Sequence, residues 1–241
     1  FENTVTEHTG AVTITNAPNV AQLKEINSET TGAITLATAN GALSGSAADL
    51  VLAFAEVVTE HTGTVEITDA HDLAQLAEIN SETTGTLTLA DYTVVLTGSA
   101  EDVSAALDGT FAENYTAAVS LSDAPTLAEL KNINAGTTGA ITLQVTNGAL
   151  SGSAADLVLA FENTVTEHTG AVTITDAPTV AELKEINAES TGAITLQVTN
   201  GALSGSAADL VLAFENTVTE HTGTVTITNA PTVAQLKEIN S

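Results

Sequence analysis

Four histidines recur at one place in the sequence and are the first residues to consider for chemistry. His8, His61, His168 and His221 each follow a glutamate in the tripeptide EHT, and Tyr115 replaces the imidazole in one divergent copy. Imidazoles bind metal ions and titrate near neutral pH. A shared ion would need histidines much closer together than a whole repeat allows. We therefore expect solvated histidines near helix ends, where the helix dipole favours a positive charge.

A column of acidic side chains is the second candidate. Asp69, Asp123 and Asp176 recur in the turn after a predicted strand, whereas Asn16 and Asn229 occupy the same place in two other copies. Carboxylates and backbone carbonyls together could bind Ca²⁺ in each coil. Neither the glycine-rich GGxGxDxU repeat nor an EF-hand loop occurs. Structural calcium therefore stands as an alternative to a turn-forming or capping role for these residues.

Ser, His and Asp would also allow a hydrolytic triad to be drawn. A catalytic site is normally a single departure from the surrounding pattern, whereas these candidates recur together with their neighbours. No GxSxG, HExxH, P-loop or GxGxxG motif stands in a supporting context. We predict that the protein is not an enzyme and that it has no catalytic, cofactor-binding or metal-ligating residues.

Threonine pairs on alternate strand residues form a further candidate surface. The TxT pairs are Thr13/Thr15, Thr173/Thr175 and Thr226/Thr228. Regular threonine arrays can match an ice lattice. Two other copies interrupt the array, with Glu66/Thr68 and Ser120/Ser122, and threonine is common on exposed strands. An ice-binding or adhesive face is therefore the alternative function.

Composition excludes several classes of protein. The 241 residues contain 30 Asp and Glu against 4 Lys and Arg, a formal charge of −26 at pH 7. This charge repels phosphate backbones, so we expect no nucleic-acid partner. The lack of cysteine excludes disulfides and thiolate metal sites. No apolar run approaches the roughly 18 to 20 residues of a membrane span, so we expect a soluble acidic protein without one.

All four cationic side chains occupy one repeated position. Lys24, Lys131, Lys184 and Lys237 share it, and Ala77 replaces lysine in the divergent copy. We expect these lysines to relieve repulsion among columns of glutamate, such as Glu25, Glu185 and Glu238. Each exposed pair would contribute less than about 1 kcal/mol to stability.

These candidates recur because the chain is a tandem repeat. Copies begin at Gly10, Gly63, Ala117, Gly170 and Gly223, which gives spacings of 53, 54, 53 and 53 residues, with one insertion between Asp108 and Tyr115. The sequence divides into partial copies at 1–9 and 223–241 and full periods at 10–62, 63–116, 117–169 and 170–222. Together these copies predict a single continuous solenoid over 1–241, a window of a longer array.

Each period contains two related halves, which we name the short half (170–191 in the fourth period) and the long half (192–222). Both begin with glycine and an alternating strand, pass a turn of small residues and continue into an amphipathic helix. Helix starts carry capping-box patterns, such as Ser153-x-x-Asp156 and Thr179-x-x-Glu182. A repeated aromatic, at Phe54, Phe161 and Phe214 with Phe1 and Leu107 at equivalent places, predicts a ladder in the core. Glycines at the coil starts predict a corner in the backbone.

Neither half can bury its own apolar face, so successive coils must stack. The sequence predicts an α/β repeat solenoid of strand-helix coils with parallel β-sheets and two coils per period of about 53 residues. Parallel strands are spaced by about 4.8 Å and packed helices by about 8–10 Å. This mismatch predicts either curvature or separation of the two half types onto different faces. An extra GALSG segment in the long half would form an additional strand and favour separation.

The motifs VTITDAPTVAELKEINAESTGAITL (172–196) and LSGSAADLVLAF (203–214) resemble the repeats of giant, highly repetitive secreted and cell-surface proteins of bacteria, of a type found in marine cyanobacteria. The resemblance covers nearly the whole chain. It implies an extracellular structural or adhesive role and supplies no catalytic residues.

Together the repeats and the resemblance favour an extracellular structural repeat protein that forms a stalk, filament or surface-layer element. The alternative is an adhesin or ice-binding solenoid that uses the threonine face. The expected partners are copies of the protein itself, in head-to-tail or lateral association. Attachment to a cell surface would use regions outside this segment. We expect no cofactor apart from the calcium alternative.

Overall fold

The computed structural model describes residues 7–163, 165–217 and 219–240, in which short strands alternate with short helices. The strands are β1 (Val12–Ile14), β2 (Ile34–Leu36), β3 (Leu43–Gly45), β4 (Val65–Ile67), β5 (Leu87–Leu89), β6 (Leu96–Gly98), β7 (Val119–Leu121), β8 (Ile141–Leu143), β9 (Leu150–Gly152), β10 (Val172–Ile174), β11 (Ile194–Leu196), β12 (Leu203–Gly205) and β13 (Val225–Ile227). The helices are α1 (Val20–Glu29), α2 (Ala47–Phe54), α3 (Leu73–Ser81), α4 (Ala100–Leu107), α5 (Leu127–Gly136), α6 (Ala154–Phe161), α7 (Val180–Glu189), α8 (Ala207–Phe214) and α9 (Val233–Ile239). None of these helices is long and apolar enough to cross a membrane.

These elements form an α/β repeat solenoid, which confirms the predicted fold class. The chain divides into two compact units, one formed by Phe1–Gly98, Asp102–Ala118 and Gly136–Thr138, the other by Ser99–Glu101, Val119–Ala135 and Gly139–Ser241. Both units alternate short-half and long-half coils, and their sheets are parallel and not closed. That 1–241 forms one continuous solenoid with the copy boundaries given above stays a prediction.

Strands of successive coils pair about 22 residues apart along the chain. Leu43 of β3 pairs with Val65 of β4, which pairs in turn with Leu87 of β5. A single residue, Phe111, then forms an isolated bridge to Leu87 and adds a fourth level. The second unit repeats this series in β9, β10 and β11. Such a sheet therefore takes its first strand from the long half of one period and its next two strands from the following period.

The GALSG segment of the long half forms the additional strand that its sequence predicts, in β3, β6, β9 and β12. With it, a period supplies three strands for every two helices, and the bridge at Phe111 adds a fourth level to the sheet β3-β4-β5. Four strand levels at about 4.8 Å take up about 19 Å, and two helices at about 8–10 Å take up about 16–20 Å. The extra strand therefore removes most of the mismatch between the two spacings.

The two half types share sheets and are not separated onto different faces, which excludes that alternative. The sheet β3-β4-β5 combines β3 and β5 of the long halves with β4 of a short half. Helices of both types also pack on each other, α2 on α1 and α3 in one unit and α7 on α6 and α8 in the other. Separation is unnecessary because the extra strand already brings the two spacings together.

Small aliphatic side chains from both kinds of element fill the core. Val65 and Ile67 of β4 are fully buried, whereas Glu66 between them is exposed. Leu50 and Leu76, on successive helices, are also fully buried. Burial of one such side chain contributes about 1.5–3 kcal/mol. The alternation predicted from the sequence thus decides which strand face meets the helices.

The aromatic ladder lies in this core, as predicted. Phe54 and Phe161 are 2% and 3% exposed, and Leu107 is equally buried at the equivalent place. Phe214 is half-buried. Phe1 lies outside the described residues.

Glycines at the coil starts allow two backbones to approach closely. A Cβ at Gly85 would lie 1.7 Å from the carbonyl oxygen of Gly63, and a Cβ at Gly192 would lie 1.7 Å from that of Gly170. Neither Gly85 nor Gly192 has a left-handed φ. These positions therefore require the absence of a side chain and no left-handed backbone, and their place at a corner of the coil stays a prediction.

A buried asparagine ties each of the short-half helices α5 and α7 to the long-half helix that follows it. Nδ2 of Asn187 donates to the carbonyl of Ala213 at 2.6 Å, and Oδ1 accepts from the N–H of Asn216 at 2.8 Å. Asn134 repeats this arrangement one period earlier. Buried polar groups cost free energy unless they are hydrogen-bonded, and here both ends of the amide are used. Its role depends on a contact between coils and was not predicted from the sequence.

Helices begin with the predicted capping boxes. Oγ1 of Thr179 accepts from the N–H of Glu182 at 3.2 Å, and the carboxylate of Glu182 accepts from the N–H of Thr179 at 2.8 Å. In the long half, Oγ of Ser153 accepts from the N–H of Asp156 at 3.1 Å. Such a cap stabilises a helix by about 1 kcal/mol, which helps helices of only two or three turns to form.

Candidate functional site in the divergent copy of the repeat

The acidic column in the turns caps helices of the neighbouring coil. Oδ1 of Asp176 accepts from the N–H of Ala154 at 2.8 Å, at the start of a helix that precedes it in the chain. Oδ1 of Asn229 accepts from the N–H of Ala207 in the same way, at 2.9 Å. Asp69 and Asp123 make the equivalent bonds. Because a carboxylate and an amide both offer an acceptor oxygen, asparagine can replace aspartate here.

These hydrogen bonds assign the column a capping role. No group of three or more His, Cys, Asp or Glu side chains in the described part of the chain is placed to hold a metal ion. One carboxylate oxygen of Asp176 accepts a hydrogen bond from a backbone N–H.

Lysines of three copies pair with aspartates of the following helix. The distances from Nζ to the carboxylate oxygen are 2.5 Å for Lys24–Asp49, 2.7 Å for Lys131–Asp156 and 2.7 Å for Lys184–Asp209. The hydrogen bond from lysine lowers the pKa of each aspartate. The expectation of glutamate partners is therefore wrong, because the stacking of coils brings the first-turn aspartate of the next helix closer.

Two histidines of the repeated column are buried, so the expectation that they are solvated is wrong. His61 and His168 are 2% and 3% exposed. Nε2 of His61 donates to the carbonyl of Gly41 at 2.8 Å, and Nδ1 lies 3.3 Å from Oγ1 of Thr83. Burial lowers the pKa of both His61 and His168. Residues of other coils cover them, which spacing within the sequence does not reveal.

The environment of the histidines varies along the column. His8 is exposed and His221 is half-buried. Nε2 of His168 has no aligned hydrogen-bond partner among the described residues, although the carbonyl of Gly148 partly offsets the effect of burial on the pKa. The column is thus a set of similar but unequal core positions.

Tyr115 takes the place of this histidine in the divergent copy, defined here as the second period (63–116). The side chain is fully buried, and the hydroxyl donates to the carbonyl of Val94 at 2.5 Å. Val94 stands 53 residues after Gly41, whose carbonyl receives the equivalent bond from His61. Burial raises the pKa of the Tyr115 hydroxyl, so the group stays protonated and able to donate. A longer side chain therefore satisfies the same backbone acceptor.

His71 is a second substitution and contacts the first. It stands where the other periods have proline, at Pro18, Pro125, Pro178 and Pro231. The side chain is 4% exposed, and Nε2 lies 3.2 Å from the Tyr115 hydroxyl oxygen. Because the hydroxyl proton goes to Val94, the oxygen accepts from Nε2–H, which leaves a lone pair on Nδ1. Nδ1 is buried and has no hydrogen-bond partner among the described residues.

A surface depression of about 580 Å³ adjoins this pair of residues and is lined by His71, Asp72, Ala77, Val95 and Asp102, among others. Ala77 occupies the lysine position, and Asp102 stands 53 residues after Asp49. Asp72 caps α3, where the other periods use the neutral residues Asn19, Thr126, Thr179 and Thr232. The divergent copy therefore loses a cation and gains an anion at the same place.

From the sequence, Tyr115 and Ala77 are separate departures from the repeat. The role of His71 was not predicted, nor that it contacts Tyr115 and lines the same depression as Ala77. The available signal is that the departures from the repeat cluster in one period. His71 and Tyr115 are 44 residues apart in the chain, and only the stacking of coils brings them into contact.

The threonine face is exposed but narrow. The pairs Thr13/Thr15 and Thr226/Thr228 are exposed. Across the sheet β9-β10-β11, the outward residues are Ser151, Thr173 and Thr195, in one row. A second row beside it is not continuous. Two residues after Thr173 the chain has Thr175, but two residues after Thr195 it has Gln197. The array is therefore a set of short rows, each confined to one sheet.

Comparison with known proteins does not place this arrangement in a family. No family model, no curated protein and no solved structure matches the chain.

Proposed function

We propose that this chain is an extracellular structural repeat protein that forms part of a stalk, filament or surface-layer element. The observation that carries the proposal is how the recurring polar side chains are used. Asp176 caps a helix of the neighbouring coil, Asn187 ties two helices together, and Lys184 pairs with Asp209. Each of these contacts joins one coil to the next. The recurring polar residues therefore serve the repetition of one interface.

A non-enzymatic role is part of this proposal. The histidine and aspartate that sequence motifs would assign to chemistry are engaged in structural bonds, as His61 is with Gly41 and Asp69 with Ala47. A catalytic base needs access to a substrate proton, and burial denies this to His61 and His168.

Association with copies of itself is the second part of the proposal. The face of β1 and α1 carries a largely apolar groove of about 670 Å³ whose lining includes Val12, Ile14 and Ile26. On the equivalent strand β10, Val172 and Ile174 are fully buried and β9 pairs alongside. A coil of the same repeat from another molecule has the chemistry needed to cover this groove, by hydrogen bonding of strand edges and apolar packing.

Electron microscopy and sedimentation of the purified chain test assembly. We expect continuous fibres or sheets for the wild type and short particles for Val12→Asp, which places a charge in the groove. Thr35→Asp is the matched control, because it adds the same charge to the exposed face of the neighbouring strand β2, outside the lining of the groove. Isolated short particles of the wild type at every concentration would contradict assembly.

A location outside the cell or on its surface completes the proposal, with attachment through regions outside this segment. It is supported by the resemblance of the repeat motifs at 172–196 and 203–214 to those of giant secreted bacterial proteins. Labelling of intact cells with an antibody against the repeat tests it, and staining only after permeabilisation would contradict it.

A binding function for the threonine face is the second candidate. The exposed pairs Thr13/Thr15 and Thr226/Thr228 favour it, as an adhesive or ice-binding surface. A thermal-hysteresis assay decides the ice-binding form. Ice shaping that is lost on Thr226→Lys would replace the structural proposal with this one.

A further inference from the structure

An asparagine–glycine pair recurs in the turn that precedes the additional strand of the long half. The pairs are Asn40–Gly41, Asn147–Gly148 and Asn200–Gly201. They lie outside the helices and strands, between β2 and β3, between β8 and β9 and between β11 and β12, and all three asparagines are exposed. The divergent copy has Thr93 and Val94 at the equivalent place. Three copies of the repeat therefore share a surface feature that the divergent copy lacks.

The reactive groups of each pair are free of hydrogen bonds. Neither the side-chain amide of Asn40 nor the N–H of Gly41 is hydrogen-bonded to another described residue, and the same holds for the pairs at 147–148 and 200–201. Because glycine has no Cβ, its nitrogen is also open to close approach by the asparagine side chain. Asparagine is one of the thermally labile residues of proteins. The side-chain amide and the neighbouring backbone nitrogen can therefore react with each other to form a cyclic imide.

We propose that Asn40, Asn147 and Asn200 are sites of spontaneous deamidation to aspartate and isoaspartate, and that this conversion loosens the backbone contacts beside each pair. The glycine nitrogen gives its proton to hydroxide and attacks the asparagine Cγ. A C–N bond forms, the bond from Cγ to Nδ2 breaks, and Nδ2 leaves as ammonia with a proton from water. Water then opens the cyclic imide at either carbonyl, which yields aspartate or isoaspartate. The net reaction consumes one water and releases one ammonia, without an oxidant, a reductant or an enzyme.

The backbone around the first pair, Asn40–Gly41, holds the next level of the stack by its carbonyls. The carbonyl of Ala39 accepts from the N–H of Thr62 at 2.9 Å, and the carbonyl of Gly41 accepts from Nε2 of His61 at 2.8 Å. Isoaspartate carries the main chain through the former side chain and so adds one atom between these two carbonyls. The spacing of the two acceptors then no longer matches that of their donors, and we expect at least one of the hydrogen bonds to be lost.

Close packing leaves little room for the extra atom. A Cβ at Gly63 would lie 2.7 Å from the carbonyl carbon of Asn40. The same distance recurs at the other two pairs, from Gly170 to Asn147 and from Gly223 to Asn200. Each conversion also adds one negative charge to a chain whose formal charge is −26. Ageing is therefore expected to weaken the coil contacts one site at a time, an inference that does not depend on the structural function proposed above.

Mass spectrometry of the whole chain after incubation at pH 8 tests the reaction. Trypsin cleaves only after the four lysines, so the peptides 25–131, 132–184 and 185–237 carry one pair each. We expect each peptide to gain, with time, the mass difference between an amide and a carboxylic acid, and protein-isoaspartate methyltransferase to label the new residues. The urea-unfolded chain, incubated in parallel, supplies the reference rate. No gain in the folded chain over a period that converts the unfolded chain would overturn the proposal.

Asn147→Thr is the matched variant, since the divergent copy has threonine at this place. We expect it to fold like the wild type and to abolish the gain in the peptide 132–184, while the gains in the other two peptides continue. A gain that persists in the peptide 132–184 would assign the reaction to another asparagine and overturn the proposal.

Urea unfolding of fresh and aged protein tests the effect on the coil contacts. A triple variant with Asn40→Asp, Asn147→Asp and Asn200→Asp carries the added charges without an extra main-chain atom. We expect aged wild type, with its isoaspartate established by peptide mapping, to unfold at a lower urea midpoint than both fresh wild type and this variant. The triple variant with threonine at the same positions should keep its midpoint on ageing. Equal midpoints for aged wild type and the aspartate variant would overturn the proposed loosening.

Discussion

Nε2 of His71 lies 3.2 Å from the hydroxyl oxygen of Tyr115, 44 residues later in the chain. Both residues depart from the repeat, His71 at a proline position and Tyr115 at a histidine position. They belong to adjacent coils of one compact unit. The two departures are therefore one structural change, in which a buried hydroxyl-imidazole pair replaces a proline and an imidazole.

This contact predicts energetic coupling between the two positions. Tyr115→Phe removes the donor to Val94 and the acceptor for His71, and we expect it to destabilise the protein by about 1–3 kcal/mol. His71→Pro with Tyr115→His restores the residues of the other periods and should recover part of the combined loss, a coupling of about 0.5–3 kcal/mol. Urea unfolding of the four variants of the cycle measures it, and strict additivity would contradict the pairing.

Buried histidines predict a loss of stability in mild acid. Burial places the pKa of His61 and His168 in the folded state below the ordinary value of 6.5. The unfolded chain therefore binds more protons below about pH 6.5, so that their stabilising contribution is complete above that pH and declines as the pH falls towards the folded-state pKa.

Paired substitutions isolate this effect from the general titration of carboxylates. We expect His61→Gln to reduce the difference in urea midpoint between pH 7.5 and pH 5.5. The matched control is His8→Gln, at the same repeat position but exposed, which should leave stability at pH 7.5 unchanged. A difference in urea midpoint between pH 7.5 and pH 5.5 that is the same in His61→Gln as in the wild type would contradict the prediction.

The asparagine that joins successive helices should contribute strongly to stability. Asn187→Ala leaves the carbonyl of Ala213 and the N–H of Asn216 without their partner. We expect destabilisation by about 1–3 kcal/mol for the groups left unsatisfied, together with faster amide exchange at Asn216. Asn27→Ala, at a half-buried copy of the same position, is the milder comparison, and an equal effect of both would argue against burial as the cause.

Two glycines of the repeat should differ sharply in their tolerance of alanine. A Cβ at Gly85 would lie 1.7 Å from the carbonyl oxygen of Gly63, whereas one at Gly10 would meet only the side chain of His8, at 3.2 Å. We expect Gly85→Ala to cost about 1–3 kcal/mol or more, because the coils must move apart, and Gly10→Ala to be tolerated. Thermal melting of both variants decides whether close approach of the coils is the constraint.

Asparagine should replace the capping aspartate at little cost. Asp176→Asn keeps the acceptor for Ala154, as Asn229 does for Ala207, so we expect a change below about 0.5 kcal/mol. Asp176→Ala removes the acceptor and should cost about 0.5–2 kcal/mol. The same melts in calcium and in EDTA test the calcium hypothesis. A wild-type melting temperature that rises with calcium, but does not in Asp176→Asn, would establish a structural metal site in place of the cap.

Local patterns were sufficient for the elements and the fold class. The alternation of Val172 and Ile174 with threonine, and the capping box at Thr179 and Glu182, lie within a few neighbouring residues. Backbone conformation and side-chain direction follow from such short-range patterns. The same holds for the 53-residue spacing, which required coils to stack.

Contacts between side chains of different coils were harder to predict from the sequence. Lys184 was expected to relieve repulsion among glutamates, but it pairs with Asp209. His61 was expected to be solvated, but it lies in the core. Both errors have one cause, since the partner of a side chain depends on the offset between neighbouring coils. That offset results from fitting strands at about 4.8 Å to helices at about 8–10 Å.

By itself, the amino-acid sequence determined that this protein repeats, alternates strands with helices and stacks its coils, because each half exposes an apolar face that only another half can cover. Only the tertiary structure decided that His71 meets Tyr115, that Asp176 caps the helix at Ala154 and that Ala77 leaves a depression beside Asp102. Residues 22 to 44 positions apart come into contact through the register of the coils, and that register is a property of the packed solenoid and not of any one segment.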